Sequence, residues 1–403
     1  MCERLPLARN RRSCTHIYDH SWFLCLSKVK GIVINMNFLL VCTGTAGHIN
    51  PALAIAAELQ KRVPGAEILF VGADRELEKK LIPAAGYDLK NIRMSGLRRK
   101  LTPENVIFNL KTVKNLSVAG IKARKIIDEF RPTAVIGTGG YICYPVLKKA
   151  AQMGIPTVIH GSDAAPGLTT RMLGATVDKV LVSFPGLEHL YKRPNRVIFT
   201  GTPVREGFAV SDSYRDKVGL PLVVSFWGSL GARHMNEAMA AFIKCNASGL
   251  KFRHIHATGK SGGPDELLGK LRGLGFEGKL PDGIEIREYI EDMPSVMPEA
   301  DLVLSRAGAS TIAELTLMGK PAILVPSPYV TNNHQEENAK QLVKAGGAVM
   351  LHEKTCTGEG LFDTVTKLLA DKEKLKAMSQ AQKSISPPNA TEKIVDIILE
   401  LCT

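Results

Sequence analysis

From Met36 onward, short unbroken apolar runs alternate with stretches whose apolar residues fall at helical spacing. The runs lie at 38–41, 67–71, 134–136, 157–160 and 180–183, and again at 222–226, 252–256, 284–286, 302–304 and 322–325. They are continuous rather than alternating, the mark of parallel strands covered on both faces. The pattern predicts an α/β chain with two doubly wound, Rossmann-like sheets. Each half opens alike: a strand runs into Thr43-Gly44-Thr45-Ala46-Gly47-His48 or Trp227-Gly228-Ser229-Leu230-Gly231-Ala232, and a helix follows. The first of these helices is expected to begin near Asn50-Pro51, with proline in the first turn. The domains are expected at 36–204 and 205–385, divided after a last short strand of the first half. Ser386-Pro387-Pro388-Asn389 then breaks the helical pattern before it resumes, so 386–403 is read as a helix able to cross back onto the first domain. Residues 1–35 show no clear period, and their apolar stretch is short and followed by Lys28 and Lys30. They read as a disordered extension outside the fold, with Met36 as a fresh start.

The chemistry concentrates between Asp301 and Asn338. An apolar strand breaks at Arg306-Ala307-Gly308-Ala309, and Ser310-Thr311 then open a helix whose fifth residue is expected to be Glu314. Small residues and free N–H groups at a helix N-terminus accept an anion such as a pyrophosphate. A carboxylate one turn in can take two hydrogen bonds from a vicinal diol such as a ribose. The next strand ends in a polar loop that reaches His334-Gln335. Neighbouring strand ends thus supply the parts of a nucleotide site. Strand, glycine turn and helix is also ordinary construction, and neither glycine loop is a full G-x-G-x-x-G or carries a P-loop lysine.

Charge sharpens the picture. Residues 1–35 carry 6 Lys/Arg against 2 Asp/Glu, 36–200 carry 23 against 12, and 201–403 carry 23 against 25. The net charge of +13 therefore belongs to the first half, which suits a polyanion or an anionic membrane surface on one side of the molecule. Arg93, Arg98, Arg99, Lys100, Lys111 and Lys114 surround Val106-Ile107-Phe108 and Leu110, a basic rim about apolar side chains; the same pattern also fits a solvated helix whose apolar side is core. No recognisable nucleic-acid module accompanies the basic half. Eight cysteines show no C-x-x-C pair, as free thiols in a reducing compartment would.

The ordered set of motifs resembles the MurG family of N-acetylglucosaminyltransferases. It comprises Gly44-Thr45-Ala46-Gly47-His48 with Pro51, Ser95-Gly96-Leu97-Arg98, Gly139-Gly140-Tyr141, His160 with Pro166-Gly167-Leu168, Gly201-Thr202-Pro203-Val204-Arg205, Gly228-Ser229-Leu230-Gly231-Ala232, Ser305-Arg306-Ala307-Gly308-Ala309, Glu314, and His334-Gln335 with Asn338-Ala339. The resemblance spans Met36 to the C-terminus. It implies the two-domain GT-B fold and an inverting transfer of N-acetylglucosamine from UDP-N-acetylglucosamine to undecaprenyl-pyrophosphoryl-N-acetylmuramyl-pentapeptide, at the cytoplasmic face of the membrane. It also implies donor contacts at Arg205, Ser229, Ile290, Gln335 and the run Ala309, Ser310, Thr311, Ile312, Ala313 and Glu314. Thr45, Ala46, Gly47 and Asp163 would stand by the sugar. Arg98, Gly139, Gly140 and Tyr141 would serve the acceptor, with Phe108 and Lys111 of the basic and apolar patch toward the membrane, and other wall-synthesis proteins are implied as partners.

The family's His-Glu-Gln-Asn stands here as His160-Gly161-Ser162-Asp163, turning an amide into a carboxylate near the sugars. His48 is the expected general base, since histidine ordinarily titrates near neutral pH, and Asp163 is its rival. No Asp-x-Asp stands out as a metal clamp, so neither a cofactor nor an essential metal is expected. Two other readings keep the fold: transfer to a different lipid or small-molecule acceptor, and a non-catalytic UDP-sugar-binding protein of the wall machinery. A UDP-sugar epimerase fits the loop signatures less well.

Overall fold

The computed structural model describes residues 36–96, 102–204, 207–208, 219–385 and 387–403, with the backbone alone at 103, 105–114 and 331. The first sheet comprises β1 (Asn37–Cys42), β2 (Glu67–Gly72), β3 (Asp88–Asn91), β4 (Ala134–Gly139), β5 (Thr157–Gly161), β6 (Lys179–Val182) and β7 (Val197–Phe199). Its spatial order is β3-β2-β1-β4-β5-β6-β7. Phe38 pairs with Ile68 on one side and Ala134 on the other, parallel in both directions. The crossovers are α1 (Ala46–Arg62), α2 (Glu76–Ala84), α3 (Pro103–Phe130), α4 (Cys143–Gln152) and α5 (Leu168–Leu173).

The second sheet repeats the plan with β8 (Leu222–Phe226), β9 (Arg253–Ala257), β10 (Ile284–Arg287), β11 (Leu302–Ser305), β12 (Ala322–Leu324) and β13 (Ala348–Met350), ordered β10-β9-β8-β11-β12-β13. Its helices are α6 (Arg233–Ala247), α7 (Gly263–Gly273), α8 (Met293–Glu299), α9 (Ala309–Met318), α10 (His334–Lys344), α11 (Gly358–Ala370) and α12 (Lys372–Ile385). Central strands are fully buried, as their unbroken apolar runs require: Phe38, Leu39, Leu40 and Val41 in β1, and Val223, Val224, Leu302, Val303 and Leu304 in the second sheet.

Three sequence expectations shift. Helix α1 begins at Ala46, not near Asn50, so Pro51 lies inside it and His48 stands in its first turn. Helix α9 begins at Ala309, making Glu314 its sixth residue. Strands β3 and β13 were not expected; both lie at sheet edges, where short segments suffice.

The final helix, α13 (Ala390–Glu400), lies on α1 of the first domain. Ile394, Val395 and Ile398 are fully buried in one cluster with Phe38, Leu40, Ile49, Ile55 and Leu59. Arg62 Nη2 meets Asp396 Oδ1 at 2.8 Å, and Lys393 Nζ donates to the Phe199 carbonyl at 2.7 Å. No helix among the described residues is long and apolar enough to cross a membrane.

Candidate active site

In each sheet the strand order reverses between the first and fourth strands, β1/β4 and β8/β11. At such a switch point the loops beyond the carboxyl ends diverge and leave a crevice. The two crevices form a single cleft of about 1220 Å³ walled by both domains.

From the first domain, β1 delivers Thr45, Ala46, Gly47 and His48, and β4 delivers Gly139, Gly140 and Tyr141. Gly139 takes φ +128°, and a Cβ there would come within 2.5 Å of the His48 ring, so the imidazole lies directly on the glycine backbone. His48 Nδ1 is 2.8 Å from the Thr43 carbonyl oxygen. That oxygen can only accept, so the neutral ring carries its proton on Nδ1 and leaves a lone pair on Nε2. Thr138 Oγ1 donates to the His48 carbonyl at 2.7 Å and fixes the same turn from below.

From the second domain, α9 presents Ala309, Ser310, Thr311 and Glu314. Ser310 and Thr311 share one side with Glu314 at i, i+4 and i, i+3 spacing, and Ala309 opens the same first turn. Ile312 and Ala313, expected among the donor contacts, are 3% and 5% exposed and are not on the cleft wall; the helix turns Ile312 into the core, and its N–H is already given to the Gly308 carbonyl. The buried Ser310 hydroxyl has no hydrogen-bond partner within the protein. It sits 3.9 Å from where a Cβ on Gly47 would be, so the N-termini of α1 and α9 meet across the cleft. Ser229 and Ile290 line the same wall, as does Gln335, whose Oε1 accepts from Ser327 N at 2.8 Å. Arg205 and Arg98 lie outside the described residues. Phe108 and Lys111 fall in α3, described there as backbone only.

Asp163 is held across the domain boundary. Its Oδ1 accepts from Asn338 Nδ2 at 2.9 Å and lies 3.1 Å from His334 Nδ1. Burial pushes its carboxyl up, but the hydrogen bonds and charge of His334, the Asn338 amide and the charge of His48 outweigh it and hold the group below the ordinary carboxylate range. Asn338 is fully buried; its Oδ1 accepts from Ala164 N at 2.8 Å and its Nδ2 also reaches the Ala307 carbonyl at 3.2 Å. His160, fully buried beneath this loop, lies 3.0 Å from the Gly201 carbonyl through Nε2, and desolvation pushes it down to about 4.

Sequence reasoning gave no role to Asn338, nor to a buried ion pair in the second-domain wall. There Arg306 Nη1 meets Glu353 Oε2 at 2.6 Å and the Val325 carbonyl at 3.0 Å, with its guanidinium 5.9 Å from the Trp227 ring centroid. The exposed side chains of Tyr289 and Tyr329 at the cleft rim were also missed, while Leu230, quoted above in the second glycine loop, joins them there.

The N-terminal domain model of glycosyltransferase family 28 matches residues 38–182, and the C-terminal domain model matches 222–398. A protein of Acetivibrio thermocellus described as UDP-N-acetylglucosamine--N-acetylmuramyl-(pentapeptide) pyrophosphoryl-undecaprenol N-acetylglucosamine transferase is 44% identical over 372 residues, covering 91% of this chain and 98% of that protein. One of the same description from Desulforudis audaxviator is 40% identical, with the same coverage. The crystal structure of Acinetobacter baumannii MurG superposes with a TM-score of 0.70 at 26% identity, over 91% of this chain and 99% of that one. With both halves matched in order and the GT-B architecture in common, the chain belongs to glycosyltransferase family 28, in its MurG group.

Proposed function

We propose that this protein transfers N-acetylglucosamine from UDP-N-acetylglucosamine to a hydroxyl of undecaprenyl-pyrophosphoryl-N-acetylmuramyl-pentapeptide. The observation that carries this reading is the meeting of two helix N-termini across one cleft, α1 with His48 and α9 with an unpartnered Ser310 hydroxyl. Donor and acceptor both carry a pyrophosphate, and each helix N-terminus offers N–H groups and positive potential to one. The relatives' descriptions name the same substrates and reaction.

In this reading His48 Nε2 takes the proton from the acceptor hydroxyl as its oxygen bonds to the sugar's anomeric carbon on the face opposite UDP. The bond to UDP breaks with its electron pair, and the growing charge on the leaving diphosphate is met by the N-terminus of α9. Glu314 holds the ribose hydroxyls. Asp163 suits the base role poorly, because its carboxyl is held acidic and Oδ1 is committed to Asn338 and His334. The charge neutralisation is assigned to the helix rather than to a metal, so chelation should leave the rate unchanged. The positive first half favours a peripheral hold on an anionic membrane at its cytoplasmic face. Vesicle co-sedimentation should then rise with anionic lipid content.

The direct test is transfer of labelled N-acetylglucosamine to a short-chain lipid-pyrophosphoryl-muramyl-pentapeptide, with UDP-glucose and UDP-galactose as competitors. Selective transfer is expected. His48→Ala should lower kcat by roughly 10²-fold or more while UDP binds as before. UDP binding without muropeptide glycosylation would overturn the acceptor assignment.

A further inference from the structure

Glu78 is the third residue of α2 and fully buried, yet it lies outside the cleft wall. An unsatisfied carboxylate in that position would be strongly destabilising. It is instead surrounded by donors. Oε1 accepts from the Thr43 hydroxyl and from Gly44 N at 3.1 Å; Oε2 accepts from Ala73 N at 2.7 Å and Arg75 N at 3.3 Å. One oxygen serves the loop after β1 and the other serves the loop after β2. Gly72 leaves the necessary room, since a Cβ there would come within 2.5 Å of Oε2. All four partners donate, which matches a carboxylate, an acceptor-only group. An amide in its place would turn an NH₂ group toward at least one backbone N–H.

The residue gripped by Oε1 is also the one that sets the His48 ring. Thr43 donates its hydroxyl to Glu78 and its N–H to the Gly139 carbonyl at 3.2 Å, and its carbonyl accepts from His48 Nδ1 at 2.8 Å. Gly44, at φ +102°, follows immediately and is tied to the same carboxylate oxygen. We propose that Glu78 is a positioning residue for glycosyl transfer: by pinning Thr43 and Gly44 it fixes the Thr43 carbonyl, which holds His48 in the Nδ1–H form with Nε2 left to take the acceptor's proton. This rests on the reading of His48 as the base.

The test combines kinetics with nitrogen NMR of the histidine tautomers in the full chain. Glu78→Gln should lower kcat roughly tenfold to a hundredfold, a part of the ~10²–10⁴ that a placed base supplies. KM for UDP-N-acetylglucosamine should stay unchanged, and His48 should lose its single Nδ1–H signature. Thr43→Val removes the hydroxyl but keeps the carbonyl, and should share the loss; Thr43→Ser, which restores the hydroxyl, should recover most of it. A folded Glu78→Gln protein with wild-type kcat overturns the proposal, whatever its tautomer. Should Glu78→Gln not fold, wild-type kcat in Thr43→Val does the same. His48→Ala with full activity would instead remove the base reading itself, while the tautomer signal still reports whether Glu78 governs the ring.

Discussion

A methyl group added at Gly139 would have to occupy the space of the His48 ring. The same position takes φ +128°, a region that side-chain-bearing residues rarely adopt, so Gly139→Ala meets both strain and collision. The ring is the softer partner, because it is partly exposed at the cleft and anchored by one hydrogen bond. Gly139→Ala should therefore fold, bind UDP with unchanged affinity, and lose roughly tenfold or more in kcat, read by steady-state kinetics beside calorimetric UDP titration. Unchanged kcat would mean that the ring's seat on Gly139 does not matter to the reaction. This also shows which residues of the site were legible. His48, Glu314 and Gln335 stand beside glycine turns and strand ends, where local pattern alone marks a crevice. Glu78 and Asn338 do not: their decisive partners lie 35 and 175 residues away, and nothing around either residue records that separation. Ile312 and Ala313 show the opposite: they belong to a contiguous run read as one surface, but in the helix Ile312 turns into the core and Ala313 lies a turn below Ala309, so neither reaches the cleft wall.

At the level of elements, the unbroken apolar runs identified the central strands because burial on both faces leaves no polar positions. Edge strands carry no such demand. Asp88-Leu89-Lys90-Asn91 of β3 is largely exposed and would read as loop in any sequence. The start of α1 was misplaced by the preference of proline for a first turn. Pro51 instead sits sixth in the helix, where the intrahelical bond it forgoes is the one to the Gly47 carbonyl. Helix α13 gives an element-level prediction. Its Ile398 is fully buried in the first domain's core, although the chain reaches it only after completing the second domain. Ile398→Ala should destabilise the first domain by about 2–5 kcal/mol through lost burial and the cavity left behind. Urea unfolding should show an earlier transition, with UDP binding by the second domain retained. Loss of UDP binding in step with the first domain would show that α13 couples the two domains into one folding unit.

Across the whole molecule, acid should act on both domains through histidines that folding keeps neutral. His160 supports the first-domain loop at the cleft, and desolvation pushes it down to about 4. In the second domain Ser225 Oγ lies 2.8 Å from His254 Nε2 and 2.7 Å from His256 Nδ1. Desolvation holds His254 well below its ordinary value and pushes His256 down to about 3. All three are fully buried, and the other ring nitrogens of His254 and His256 have no partner to receive a new proton's charge. Above the ordinary histidine pKa of about 6.5, folded and unfolded chains are equally neutral at these sites and stability does not depend on them. Below it the unfolded chain binds protons that the native state refuses, so stability falls as pH falls. The loss should begin near pH 6.5, continue down to about 4, and level off only as the native histidines themselves protonate. With up to three protons involved, the slope reaches about 4 kcal/mol per pH unit. The depressed carboxyl of Asp163 adds to the loss only at lower pH, where carboxylates protonate in the unfolded chain. Denaturant titrations between pH 7.5 and 4.5 should thus steepen below 6.5, and His256→Gln should reduce the slope by about one proton's share. A profile flat from pH 6.5 to 5 would mean that these imidazoles reach water or a counter-charge in the folded state, and that the dry Ser225 cluster does not persist in solution.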